Sequence, residues 1–116
     1  MIRLIGRKLI IPQGDTGEFT IPTQGSIMSG DEAIFAIYDN LTHTTVLEKK
    51  IVATPETLTF VFTSQDTLNI EPDDRGSRYT WDITIIRDSG ATVDSYYAAF
   101  SLPPCVIKRV TRNVQE

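Results

Sequence analysis

The sequence predicts an all-β fold: an antiparallel, immunoglobulin-like β-sandwich of about eight strands with at most one short helical turn. Apolar residues alternate with Thr and charged residues over short runs, and Gly, Pro, Asn and Asp bound those runs. Helical spacing is nearly absent. At 116 residues the chain fits one core, so residues 1–116 are expected to form a single β-sandwich domain. A domain of that length buries about 65% of the surface its unfolded chain exposes, enough to fold without a disulfide or a metal.

The strands follow in order. Lys8 to Ile11 and Glu18 to Ile21 are the first two runs, separated by Gly14-Asp15 and Gly17, which allow positive φ. Ala33 to Tyr38 and Thr45 to Val52 come next, and Asp39-Asn40 between them tolerates the left-handed region. In Leu58 to Thr63, successive side chains point opposite ways, so Leu58, Phe60 and Phe62 share one face. Ser64 to Leu68 reads as a capped single turn, with a Ser64 or Asp66 oxygen accepting from a free backbone N–H.

The segment Glu71 to Gly76 is too rich in turn formers to be anything but loop. Tyr79, Trp81, Ile83 and Ile85 then form a second inward row, opposite Thr80, Asp82, Thr84 and Ile86. Asp88-Ser89-Gly90 suits a hairpin loop leading into Thr92 to Phe100. Pro103-Pro104 forces an extended break before Cys105 to Val110.

Composition excludes several classes. Cys105 is the only cysteine, and no charged start leads into an apolar run with a cleavage site, which fits folding in a reducing cytosol. No apolar stretch approaches the eighteen or so residues of a membrane span. A net charge of -4 opposes nucleic-acid binding, where neutralised phosphates supply most of the affinity. Positive charge gathers at the two ends, as Arg3, Arg7 and Lys8, and as Lys108, Arg109 and Arg112. These are expected to be solvated or edge-strand charges, with a patch for an acidic partner as the sharper reading.

Catalytic and metal chemistry find little support. The single imidazole, His43, lies in a turn, and no Gly-x-Ser-x-Gly elbow accompanies it. Cys105 at a strand start is expected to pack as a small hydrophobe. One Cys and one His cannot make a zinc site, and Glu71, Asp73 and Asp74 lack the ligand spacing of a calcium loop. The expectation is a protein without catalytic residues, cofactor or metal.

Several of these pieces carry a resemblance when taken in order. They are Ile11-Pro12-Gln13-Gly14-Asp15-Thr16-Gly17-Glu18-Phe19, the Gly30-Asp31 turn entering Ala33 to Ile37, the Phe60 strand with Asp66-Thr67 behind it, and Gly76-x-x-Tyr79-x-Trp81-Asp82-Ile83. This order resembles the small β-sandwich domains of tail and baseplate proteins of phages that infect Gram-positive bacteria, like the N-terminal domain of their upper baseplate protein. The resemblance implies a virion structural role in the tail or baseplate, with synthesis in the bacterial cytoplasm. It also implies docking onto other tail or baseplate proteins as a homo-oligomer, without nucleic acid or membrane. Asp73-Asp74-Arg75 departs from it by lengthening a loop. Receptor binding, which in the larger baseplate proteins belongs to parts beyond such a domain, is not carried over.

Interface candidates are the apolar residues that alternation leaves over: Ile2, Leu4 and Ile5 at the start, Val61 and Ile86 on Thr-rich faces, and one of Tyr96 and Tyr97. The rival reading is a carbohydrate-binding module using Tyr96 or Tyr97. Only a contiguous apolar patch marks an interface.

Overall fold

The computed structural model describes residues 2–22, 27–28, 30–54, 56–93 and 103–109. Among them the chain is all-β. The strands are β1 (Arg3–Ile5), β2 (Lys8–Pro12), β3 (Gly17–Pro22), β4 (Glu32–Asp39), β5 (Thr44–Val52), β6 (Thr57–Phe62), β7 (Tyr79–Ile86), β8 (Thr92–Val93) and β9 (Pro104–Lys108), and one short helix, α1 (Ser64–Leu68), follows β6. The larger sheet runs β1-β2-β9-β7-β4-β5, with β8 on β7, and the smaller one pairs β3 with β6. All pairings are antiparallel except β2 with β9, a departure from the fully antiparallel expectation.

The two sheets meet through the two predicted inward rows, of β6 and β7, and through rows of β3 and β4 to which alternation assigned no face. Phe19 and Ile21 of β3 and Leu58, Phe60 and Phe62 of β6 face Ala33, Phe35 and Ile37 of β4 and Tyr79, Trp81, Ile83 and Ile85 of β7, and all are buried. Phe35 sits at the centre, with its ring centroid 5.5 Å from both Phe60 and Phe62 and 5.9 Å from both Phe19 and Trp81. Phe19 meets Trp81 edge to face at 5.6 Å, the arrangement that ring quadrupoles favour. The indole N–H of Trp81 donates to the Arg7 carbonyl at 3.0 Å, so the one polar atom of that side chain is satisfied.

Local chemistry explains the turns. Gly14, Gly17 and Gly90 take positive φ, as their turns require. In the β4–β5 turn the left-handed residue is His43, at φ 59, and neither Asp39 nor Asn40 takes that role. The Asp39 carboxylate instead accepts the Leu41 N–H at 2.9 Å, and its carbonyl accepts the His43 N–H at 2.8 Å. In α1 the Asp66 carboxylate accepts the N–H of Thr63, the residue before the helix, at 2.8 Å. The loop of residues 71–76 is not wholly irregular, because Asp73 donates its N–H to the Ile107 carbonyl and so extends the pairing of β9.

Two strands end differently from the expectation. β1 is an added edge strand, turned back onto β2 at Gly6, whose φ is 62. The expected Thr92 to Phe100 strand appears as Thr92–Val93, and its remainder lies outside the described residues.

Candidate interaction surfaces

The outer face of the larger sheet is assembled by strand register. Glu32 lies opposite Val52 on one side and Ile86 on the other, while Ile34 in the next row lies opposite Lys50 and Thr84. Side chains directly opposite stand about 5 Å apart and diagonal neighbours about 7–8 Å apart. Val52 and Ile86 therefore each lie diagonal to Ile34, with Glu32 between them. Val52 is 70% exposed, and Ile34 and Ile86 are partly exposed. The three are crossed by one surface ion pair, Lys50 to Glu32 at 3.3 Å. Further along β4, Ala36 and Tyr38 continue the face and are also partly exposed.

Each end of the β4–β7 pair is locked by a buried carboxylate and an arginine. Arg78, just before β7, donates from Nε and Nη2 to the two oxygens of Asp39 at 3.0 and 2.9 Å, and from Nη1 to Glu71 at 2.7 Å. The Arg78 hydrogen bonds hold the Asp39 carboxyl down to about 2, against the opposing effect of burial. At the other end Arg87 donates to Asp31 at 2.7 Å, and Asp31 also accepts the N–H groups of Met28 and Asp88. The Met28 N–H and these other donors depress the Asp31 carboxyl as well. Gly30 is required beside it, since its φ is 93 and an added Cβ would stand 2.9 Å from the Asp88 carboxyl carbon.

Two adjoining clefts open beside Arg78. One, of about 450 Å³, is lined by Asn40, Leu41, Asp73, Arg75, Ser77 and Arg78. The other, of about 550 Å³, shares Arg78 and takes in Asp39, Asp66, Glu71 and Tyr79. The Arg78 charge is neutralised within the protein by Asp39 and Glu71, so it serves the fold first. Tyr79 donates its hydroxyl to the Glu71 carbonyl at 2.6 Å, and burial pushes its phenol up.

The parallel β2–β9 pairing brings part of the two terminal basic clusters together. Arg3, Lys8 and Lys108 line one shallow cleft of about 170 Å³ with Ile10, Val106 and Asp74. Asp74 also accepts the Arg109 N–H at 3.1 Å. Arg3, Arg7, Lys8, Lys108 and Arg109 are exposed on the β1, β2 and β9 side, although of these strands only β1 is an edge strand, and Arg112 lies outside the described residues.

The predicted interface residues do not form one patch. Ile2 and Leu4 pack against the core and are partly buried, while Ile5 is 54% exposed on edge strand β1. Val61 is 55% exposed, but it lies opposite Glu18 on the outer face of the smaller sheet. Ile86 lies on the outer face of the larger sheet, the far side of the sandwich from Val61. Tyr96 and Tyr97 lie outside the described residues.

Sequence reasoning missed Ile34 and Val52 as partners of Ile86. The available signal was that Ala33 to Tyr38 is apolar at almost every position, which marks a strand with two apolar faces.

Chemically active groups are sparse here. Cys105 is buried, and burial pushes its thiol well above its ordinary range, which removes the thiolate that reactivity requires. His43 is exposed in its turn. Among the described residues no group of three or more His, Cys, Asp or Glu could hold a metal ion, and no helix is long and apolar enough to cross a membrane. Compared with models of protein families, with curated proteins and with solved structures, the chain gives no match.

Proposed function

We propose that this chain is a non-enzymatic structural subunit that works by protein–protein assembly, in the phage tail or baseplate that the sequence resemblance implies. The observation that carries the reading is the placement of Val52 and Ile86 as diagonal neighbours of Ile34 around Glu32 on the outer face of the larger sheet. Isolated exposed apolar residues are ordinary, but three gathered around one strand end at the edge of a sheet offer a surface that protein contact would cover. The internal ion pairs support the same reading. Asp31 and Asp39 are each engaged by an arginine and by backbone N–H groups, which suits holding strand ends and does not suit proton transfer.

The partners are other tail or baseplate proteins and further copies of the chain, and the site of action is the virion. Light scattering on the purified protein, alone and mixed with purified products of the genes adjoining its own, tests this. Co-elution that is lost in an Ile34→Lys, Ile86→Lys variant is the expected result. A chain that stays monomeric and captures none of these proteins would sink the proposal.

A further inference from the structure

We infer that β5 pairs antiparallel with β5 of a second copy, about a two-fold axis at Lys49. The inference rests on the assembly reading above and names one partner and one register for it. Among the described residues β5 has a single hydrogen-bonded neighbour, β4, so its other edge carries unpaired backbone groups. It is also the longest strand described, at nine residues.

The order of side chains along β5 is close to a chemical palindrome. Reading outward from Lys49, Glu48 meets its charge complement in Lys50 and Leu47 matches Ile51, and the bulge at Val46, which packs against the core, ends the match there. A two-fold axis that makes neighbouring strands antiparallel runs normal to the sheet, so each residue meets a partner on the same face and the axis passes a single residue. With the axis at Lys49, Glu48 of each copy lies opposite Lys50 of the other, which gives two opposite-charge pairs on the outer face. Leu47 and Ile51, partly buried against each core, lie opposite one another on the inner face.

Neighbouring registers are worse. An axis at Glu48 sets that carboxylate against its own copy, and an axis at Lys50 does the same for two exposed ammonium groups. Lys49 itself is covered by its own protein, since it donates to Asp66 at 2.7 Å and lies over the Phe62 ring. Its charge is answered before a second copy arrives.

Charged edge strands ordinarily discourage pairing. On β5 the charges favour the axis at Lys49 over the two adjacent registers, each of which sets like charges against one another. Pairing of so few residues gives a weak, concentration-dependent dimer that joins two large sheets edge to edge.

Sedimentation velocity over a range of concentrations tests this, using the full chain and three variants: Glu48→Lys, Lys50→Glu, and the double exchange. Glu48 and Lys50 are exposed, and circular dichroism checks that each variant keeps its strands. The wild type should dimerise, and each single variant should dimerise roughly tenfold to a hundredfold more weakly, because two attractive pairs become repulsive. The double exchange should restore dimers. An equimolar mixture of the two single variants should also form dimers, since every pair across that interface is again opposite in charge.

A wild type that is monomeric throughout overturns the inference, as do single variants that dimerise undiminished or a mixture that stays monomeric. Dimers unaffected by charge reversal, together with partner capture that still depends on Ile34 and Ile86, would remove this register and leave the assembly reading standing.

Discussion

Strand β4 presents nearly the same chemistry to both sides, with Ala33, Phe35 and Ile37 on one and Ile34, Ala36 and Tyr38 on the other. The first three are fully buried and the second three are partly exposed. The difference comes from the layer above: β3 and β6 send Phe19, Phe60 and Phe62 onto Phe35, whereas among the described residues no second sheet covers Ile34. Burial is thus decided by what faces a strand as much as by its own residues. An apolar face without a covering layer is the part of this molecule on which the proposed assembly role rests.

Substitution on the covered face has the largest expected effect. Phe35→Ala removes the ring at the centre of the aromatic cluster and should cost about 4 kcal/mol, read as a lower urea midpoint. On the other face, Ile34→Thr should change stability by less than about 1 kcal/mol while weakening assembly. Comparable losses for the two would erase the contrast.

Between these extremes lie the ion pairs that hold the ends of β4. Asp39→Ala leaves Arg78 without its two-pronged partner and frees the Leu41 N–H, so it should destabilise the fold by less than Phe35→Ala and more than Ile34→Thr. The same pairs set a pH dependence. Asp39 and Asp31 both have depressed folded values, so their stabilisation is complete above the unfolded value, near about pH 4, and is lost as pH falls through the folded value. For Asp39 that value is about 2. Urea midpoints should therefore fall on acidification from about pH 4 toward pH 2, and the fall should be shallower in Asp39→Asn. Equal slopes for the two proteins would show that Asp39 does not carry the effect.

What the sequence made legible is what alternation controls. The rows Leu58-Phe60-Phe62 and Tyr79-Trp81-Ile83-Ile85 point inward as read, because the residues between them, all polar except Val61, fix the face. Ala33 to Tyr38 could not be assigned a face in that way, since apolar residues occupy both, and the patch built on Ile34 was hidden with it. β1 escaped notice because three residues carry too little periodicity. The clasps depend on contacts 39 and 56 residues apart, and Asp39 looked like an ordinary turn former. Val61 and Ile86 were correctly left outside the core, but only register shows that they stand on opposite sides of the sandwich.

The central claim is that protein, in solution, covers the bare side of β4 and β7. Light scattering on mixtures of this chain with the purified products of its neighbouring genes measures that most directly, with the Ile34→Lys, Ile86→Lys variant run alongside. The account predicts a defined complex with the wild-type chain and none with the variant. Identical behaviour of the two proteins, whether both bind or both remain alone, would contradict it.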